Sequence, residues 1–350
     1  MLVVHASDLH LGRPLGALPL DAIMNYDWFC HAAYRALHRL VDVCIEERPD
    51  FLLLAGDLIE GAIRDYMVGL RLVHELTRLE DTNTKVVWVR GNHDAENRVL
   101  ANLLLPGHVF ELGLSGVQTL RFEGCGAAVV GRSYQTRACY ENLLSGYPPK
   151  AEQYCTIGVL HTSGDGQISG DSYAPCRRSE LAHKGYDYFA LGHVHAPTLL
   201  GPNIAYSGCL QGRNFFESGA RGCLLVRFDG CRVTSVTHRS LEVVRFGLVS
   251  VDVGNACSLD QVLEAIDHAT LTALARYPNR GLVVRVRLRG EAGLETLLST
   301  NVTTRHRALR SIAERGDGRL AIDGFWADVG HDGAAWFRID AEPTRRGDVP

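Results

Sequence analysis

Short, mostly apolar runs alternate with segments of helical periodicity over the first hundred residues. The runs at 2–6, 51–55 and 85–89 have the length of strands, and the second is entirely hydrophobic, which is typical of a strand buried in a parallel sheet. Residues 28–47 and 63–79 place their hydrophobic side chains at helical spacing instead. This order of strand, helix, strand, helix, strand predicts an α/β domain with right-handed crossovers.

A polar cluster follows each of these three strands, at 7–10, 56–57 and 91–94. Functional sites in open α/β sheets form at the carboxyl ends of the strands, so we expect the three clusters to lie close together. The residues in these clusters that could act as metal ligands or catalytic groups are Asp8, His10, Asp57, Asn92, His93 and Asp94.

Between residues 109 and 240, strand-like runs follow one another with few helices between them. Their close succession predicts a second sheet that faces the first. Two of the runs lead into histidines, at His161 and at the pair His193 and His195. The runs occupy 117–122, 127–131, 156–160, 186–191, 204–207, 223–228 and 232–237.

The last hundred residues show a separate α/β pattern without polar clusters at the strand ends. It predicts strands at 248–253, 282–288 and 320–329 and helices at 258–276 and 304–314, the first of them capped by Ser258. We therefore predict one domain at 1–242 and a second, smaller domain at 243–340. The remaining 341–350 is expected to be a disordered tail.

Composition narrows the functional classes. Of 350 residues, 46% are hydrophobic and 22% charged, as in soluble globular proteins, and no apolar run has the roughly 18 residues that cross a bilayer. The first residues lack the basic start of a secretory signal, so a cytoplasmic protein without membrane association is expected.

The net charge of -4 excludes a basic field over the whole chain, so nucleic-acid binding would need a local groove, a metal site or a partner. None of the ten cysteines forms a CxxC pair, so no zinc knuckle is predicted.

The residue types at the strand ends indicate a metal centre. Carboxylate oxygens mixed with imidazole nitrogens suit manganese, iron or zinc, and thiols are missing from the set. One ion with four to six ligands would not use all the candidates, whereas two ions sharing a carboxylate would. Two ions about 3.5–4 Å apart can stabilise the entering and leaving oxygens of a phosphoryl transfer.

The order of these clusters resembles that of the calcineurin-like metallophosphoesterases. Within that family the chain is most similar to bacterial SbcD- and YhaO-type DNA repair exonucleases, relatives of the eukaryotic double-strand-break repair nuclease. Matching sequence words at 160–163, 173–176, 185–188, 190–195 and 211–213 carry the narrower resemblance. It implies an α+β sandwich of four layers, in which two facing mixed β-sheets are flanked by helices, with a small C-terminal α/β capping domain.

The resemblance also implies a role for each candidate ligand. Two divalent ions, with manganese as the usual activating ion, would share Asp57 as a bridging ligand. The first ion would also bind Asp8, His10 and His195, and the second Asn92, His161 and His193.

Four further residues receive an expectation of their own. By the resemblance, His93 would face the scissile phosphate, and Asp94 would accept a hydrogen bond from His93 and so fix its ring. Glu60 stands where some relatives carry a histidine or an aspartate, and we expect it to affect substrate contacts more than metal binding. Arg213 either contacts a phosphate or is a surface arginine in a turn.

The function implied is a DNA exonuclease with some endonuclease activity on single strands. An SbcC-like ATPase with a coiled coil is the implied partner, and a homodimer is compatible with the resemblance. One alternative is a phosphoesterase for a small nucleotide or other small phosphoester. Another is a catalytically silent scaffold, which the complete ligand set disfavours.

One strand of the second domain carries three arginines on one face, Arg285, Arg287 and Arg289, which could touch DNA. The 14 arginines and 15 acidic residues after residue 240 nearly balance in charge, which favours a solvated face instead.

Overall fold

The computed structural model describes residues 1–16, 29–61, 63–164, 172–290, 301–328 and 334–338. The first of its sheets is mixed and has six strands. In spatial order its strands are β12 (Arg232–Ser240), β11 (Gly222–Asp229), β1 (Leu2–Ala6), β2 (Phe51–Ala55), β3 (Lys85–Val89) and β4 (Val109–Glu111). Strands β1 to β4 are parallel to one another, and β11 is antiparallel to both of its neighbours. The carboxyl ends of β1, β2 and β3 therefore meet at one edge, as predicted. The runs at 223–228 and 232–237 were predicted for the second sheet, and this was wrong, because β11 pairs with β1 and brings β12 with it.

A second mixed sheet also has six strands. In spatial order they are β5 (Gln118–Phe122), β6 (Ala127–Gly131), β7 (Cys155–His161), β8 (Tyr188–Gly192), β10 (Ile204–Tyr206) and β9 (Thr198–Gly201). Strands β6, β7, β8 and β10 are parallel, and the two edge strands are antiparallel to their neighbours.

The main hydrophobic core lies between these two sheets. It combines side chains of the first sheet, such as Val3 and Phe51, with side chains of the second, such as Ile157 and Tyr188, and all four are fully buried. Burial on this scale explains why β2 carries no polar residue. The predicted fold class, two facing mixed sheets with helices, is confirmed.

Helices connect the parallel strands of the first sheet. They are α1 (Ala32–Glu47) after β1 and α2 (Tyr66–Thr77) after β2. In the second sheet, a short helix α3 (Arg178–His183) precedes β8. The side chain of Asp65 accepts a hydrogen bond from the backbone N–H of Met67 at 2.9 Å and so caps α2 at its start.

The described residues of the C-terminal part form a third sheet and two helices. The sheet order is β13 (Val244–Asp252), β14 (Gly281–Arg289), β15 (Leu320–Asp328) and β16 (Ala334–Arg338), and the helices are α4 (Leu259–Ala275) and α5 (Val302–Glu314). Ser258 caps α4, as predicted, by accepting from the N–H of Gln261. Strand β16 was not anticipated in the sequence. A separate core that includes Val262, Ile266 and Val284 holds this part together.

The chain divides into two compact units by its internal contacts. The first comprises Met1–Arg13, Ala33–Gln211 and Ala220–Glu242, and the largest segment of the second is the part of the chain from Val243 onward. The predicted domains were 1–242 and 243–340, whereas the described residues of Pro14–Ala32 and Gly212–Gly219 group with the second unit. The predicted tail at 341–350 lies outside the described residues. No helix among the described residues is long and apolar enough to span a membrane.

Candidate metal centre

Loops from both sheets bring the predicted ligands together in the first unit. Asp8 and His10 follow β1, Asp57 follows β2 and Asn92 follows β3, while the second sheet contributes the end of β7 and the loop after β8. His161 is the last residue of β7, and His193 and His195 follow β8. Most of these side chains are buried: Asp8, His10, Asp57, Asn92 and His161.

Three of the residues form one group of potential ligands. The Nε2 atoms of His10 and His195 lie 3.3 Å apart, and His195 Nε2 lies 3.5 Å from Asp8 Oδ1. Two imidazole nitrogens this close need a proton or a cation between them, because two lone pairs facing each other repel. This group is the one predicted for the first ion.

A second group surrounds His161. Its Nε2 lies 3.1 Å from Asn92 Oδ1 and 3.5 Å from Asp57 Oδ2, and the ring of His193 stands edge-on to it with a centroid distance of 5.2 Å. Asp57 Oδ2 is also 3.8 Å from His10 Nε2. The Asp57 carboxylate thus lies between the two groups, where a bridging ligand would have to be.

Backbone contacts orient these ligands. The Nδ1 of His161 lies 2.9 Å from the carbonyl oxygen of Ala55 and donates to that oxygen, which turns Nε2 toward the site. The carboxylate of Asp8 accepts the N–H of His193 at 3.1 Å and the hydroxyl of Ser7 at 2.5 Å. Nitrogen and oxygen donors are therefore fixed in position, which fits a hard or borderline divalent cation.

Strained backbone accompanies this arrangement. Asp8, His10, Asp57 and His193 all have positive φ angles, of 52°, 44°, 55° and 99°. Such angles cost side-chain-bearing residues of order 1–3 kcal/mol each and persist where surrounding structure enforces them. Gly56, with a φ of 91°, lies so close to His161 that a Cβ would meet its Nδ1 at 2.5 Å. A glycine is therefore required before Asp57.

Carboxylates and imidazoles within the centre stabilise each other's charged forms. Burial would raise the pKa of Asp57, but the neighbouring His161 and His10 hold it well below its usual range. Burial would lower the pKa of His161, but Asp57 raises it to about 9. The site therefore favours an ionised carboxylate facing a positive charge, which is the electrostatic environment that a divalent cation needs.

His93 has a different partner from the predicted one. Its Nδ1 lies 2.8 Å from Glu60 Oε1, and the other oxygen of Glu60 lies 3.3 Å from His10 Nδ1. Burial would lower the pKa of His93, but the hydrogen bond to Glu60 raises it. The same two histidines hold the pKa of Glu60 below its usual range against the effect of burial. Glu60, which we expected to act mainly on substrate contacts, therefore orients His93 and contacts a predicted ligand.

Asp94 has a structural role instead of the predicted contact with the His93 ring. Its carboxylate accepts the backbone N–H groups of Leu58 at 2.9 Å, Ile59 at 3.0 Å and Gly91 at 3.1 Å. Burial raises the pKa of Asp94 to about 7. Asp94 thus joins the loop after β2 to the loop after β3. The prediction failed because two acidic residues flank the site in sequence, and only the folded loops show which one reaches His93.

Arg213 belongs to the second unit and is neither exposed nor free to receive a phosphate. Its Nε lies 3.0 Å from Glu217 Oε2, its Nη2 also pairs with Glu217, and the residue is 7% exposed. The buried ion pair argues against the predicted phosphate contact and excludes a surface arginine in a turn. Glu217, four residues later, is the signal that the sequence offered for this pairing.

One supporting residue was missed altogether. Arg221 is almost fully buried, and its Nη1 donates to the carbonyl oxygen of His195 at 2.6 Å. Its backbone N–H donates to Glu242 at 3.1 Å. Arg221 therefore fixes the backbone of a predicted ligand, and no motif in the sequence indicates this role.

Known phosphoesterase families match both parts of the chain. A model of the calcineurin-like phosphoesterase family matches residues 1–197, and a model of the middle domain of metallophosphoesterase YhaO matches 246–329. The chain is 29% identical to the uncharacterized metallophosphoesterase YhaO of Bacillus subtilis, over 89% of this chain and 77% of that protein. The resemblance inferred from the motifs is thereby confirmed.

More distant relatives share the same region. The chain is 26% identical to the DNA double-strand break repair protein Mre11 of Methanopyrus kandleri over 65% of this chain, and 27% identical to that of Saccharolobus solfataricus over 55%. It spans about half the length of these two proteins, 54% and 49% respectively. The structure of a dimetal phosphatase from Danio rerio aligns with 68% of this chain and 99% of its own at 12% identity, with a TM-score of 0.42.

Proposed function

Because the chain belongs to the calcineurin-like phosphoesterase family, we propose that it is a two-metal phosphodiesterase that hydrolyses DNA, mainly as an exonuclease and to some extent as an endonuclease on single strands. The observation that carries the proposal is the position of Asp57, 3.5 Å from His161 and 3.8 Å from His10. A shared carboxylate between two sets of donors is what a dinuclear centre requires.

The donor set fits two divalent cations, and manganese is the ion we propose. Asp8, His10 and His195 would hold one ion, Asn92, His161 and His193 the other, and Asp57 both. When bound, such a pair of ions activates water as a nucleophile and neutralises charge on the phosphoryl group. Thiols are missing from these donors, which favours manganese or iron over a structural zinc site.

His93 supplies the remaining chemistry. Glu60 holds Nδ1, so the other ring nitrogen is left to donate toward substrate. The raised pKa keeps this imidazole protonated over a wider pH range. A protonated His93 can stabilise the negative charge that develops on phosphate and can give a proton to the leaving oxygen.

A row of neighbouring aromatic side chains beside the centre supports a nucleic-acid substrate. The ring of Tyr173 stands 6.2 Å from that of His193, and the ring of Tyr140, which is 71% exposed, stands 5.7 Å from Tyr173. Exposed aromatic rings stack on unpaired bases with about 1–3 kcal/mol per base. The names of the archaeal relatives point to the same substrate class.

The proposed partner is an SbcC-like ATPase with a coiled coil. The support is electrostatic: a chain of net charge -4 does not attract DNA by its overall field, so a second protein would supply that attraction. DNA cleavage is measured at physiological salt with and without such an ATPase and ATP. Faster cleavage in their presence would support the partnership, and an unchanged rate would contradict it.

The experiment on substrate compares DNA with small esters. The purified chain is incubated with Mn²⁺ and end-labelled single- and double-stranded oligonucleotides, and in parallel with a p-nitrophenyl phosphodiester and mononucleotides. We expect the oligonucleotides to be degraded and the Asp57→Asn variant to be inactive on every substrate. If the small esters are cleaved while the oligonucleotides stay intact, the proposed substrate changes from DNA to a small phosphoester. Inactivity on all substrates with bound metal would favour the silent scaffold.

A further inference from the structure

A second cluster of potential metal ligands lies in the first unit, away from the candidate metal centre. It consists of Cys155, the first residue of β7, Asp187, directly before β8, and Cys231, in the turn between β11 and β12. One ligand atom of each residue lies within 4.8 Å of those of the other two. Three chain segments from both sheets therefore converge on one point.

The distance along β7 separates this cluster from the candidate metal centre. Cys155 begins the strand and His161 ends it. Six residues of extended chain at about 3.3 Å each place the two residues roughly 20 Å apart, at opposite ends of the sheet. The two sets of donors therefore cannot serve the same ions.

The carboxylate of Asp187 is held in a fixed orientation. Lys150 Nζ donates to Oδ1 at 2.6 Å, and the backbone N–H of Thr156 donates to Oδ2 at 2.8 Å. Each carboxylate oxygen has about two lone-pair positions, so each keeps one for another partner. Hydrogen bonds of this kind commonly orient the carboxylate ligands of metals.

We propose that Cys155, Cys231 and Asp187 form a mononuclear site for Zn²⁺, with water as the fourth ligand. In a tetrahedral zinc site the sulfurs are about 3.8 Å apart and each lies about 3.5 Å from a carboxylate oxygen, so the present separations need only a small contraction. The cysteines lose their two protons to solvent as the metal–sulfur bonds form. Two thiolates and Asp187 then balance the charges of Zn²⁺ and Lys150.

The cluster is also accessible. Cys231 is exposed, whereas Cys155 is buried. A surface cavity of about 660 Å³ is lined by residues that include Asp187, Cys231 and Asp229. It provides an entry path for the ion and room for the water ligand. The bound ion would join the amino-terminal ends of β7 and β8 to the β11–β12 turn and so connect the two sheets.

Cobalt substitution separates this site from the candidate metal centre. Co²⁺ bound by thiolate gives a sulfur-to-metal charge-transfer band in the near ultraviolet, and the candidate centre contains no thiol ligand. The full chain, kept reduced with a phosphine, is titrated with Co²⁺. We expect the band to develop, to disappear when Zn²⁺ is added, and to be lost in Cys231→Ser.

Two variants serve as controls. Cys125→Ser removes an exposed cysteine outside the cluster and should leave the band unchanged. Asp57→Ala, which removes the shared ligand of the candidate centre, should leave it unchanged as well, so failure of the proposed nuclease would not affect this result. A missing band in the unmodified chain, or a band that survives in Cys231→Ser, would overturn the zinc site.

Discussion

Replacing Glu60 with glutamine tests how the protein controls His93. The substitution preserves size and shape but removes the charge that pairs with His93 Nδ1 at 2.8 Å and His10 Nδ1 at 3.3 Å. A hydrogen bond to a charged group contributes roughly 1.5–3 kcal/mol. At about 1.36 kcal/mol per pKa unit, its loss lowers the pKa of His93 by roughly one to two units.

The consequence for pH dependence has a definite sign. If protonated His93 assists the reaction, activity falls as pH rises through the His93 pKa, which Glu60 raises. In Glu60→Gln the alkaline limb of the rate profile should therefore move to lower pH by about one to two units. Metal content should remain near that of the unmodified chain.

The assay is the pH profile of phosphodiester hydrolysis, combined with metal analysis of each variant. A matched control exists on the surface, where Glu75 pairs with His38 Nδ1 at 3.0 Å. Glu75→Gln removes the same kind of contact and should leave both readouts unchanged. An unshifted profile in Glu60→Gln would refute the role assigned to Glu60, and an emptied centre would show that Glu60 acts through His10 on metal binding.

Three further substitutions test other parts of the site. Asp57→Ala should abolish activity and metal binding at the candidate metal centre together, because it removes the shared ligand; retention of both ions of that centre, measured by elemental analysis, would contradict this. His93→Ala should keep the metals and lower turnover by roughly 10²–10⁴-fold, the contribution typical of general acid catalysis; a metal-free variant would show that His93 is a ligand. Gly192→Ala should destabilise the fold, because its Cβ would lie 1.9 Å from the carbonyl oxygen of Ala55, which no rotamer change relieves; an unchanged melting temperature would disprove the close approach of these two strands.

The position of the site followed from the sequence because it depends on two local rules. Hydrophobic runs identified the strands, and the carboxyl ends of parallel strands meet at one edge. Asp8, Asp57 and Asn92 therefore had to converge once the strand assignments were right. His161 and His193 required the further step of facing two sheets against each other, which the succession of short strands indicated.

Contacts between neighbouring loops could not be predicted in the same way. Whether Glu60 or Asp94 pairs with His93 depends on the conformation of two loops, which Asp94 itself sets by binding the N–H groups of Leu58 and Ile59. The ion pair of Arg213 with Glu217 likewise depends on the local backbone conformation that brings the two side chains together, although their spacing of four residues is a signal for it. Such choices rest on three-dimensional packing, so residue types and spacing leave several outcomes with similar merit.

The electrostatics of the site give an independent reason to expect cations there. Carboxylate oxygens of Asp8 and Asp57 lie within 4.8 Å of each other, both residues are buried, and both have positive φ angles. Two buried like charges at this distance repel each other, and neither strained residue gains stability from its own conformation. Positive charge from histidines or metal ions must therefore offset both costs. A protein that needed only structural stability would place apolar residues here, so the arrangement is best explained by selection for binding cations.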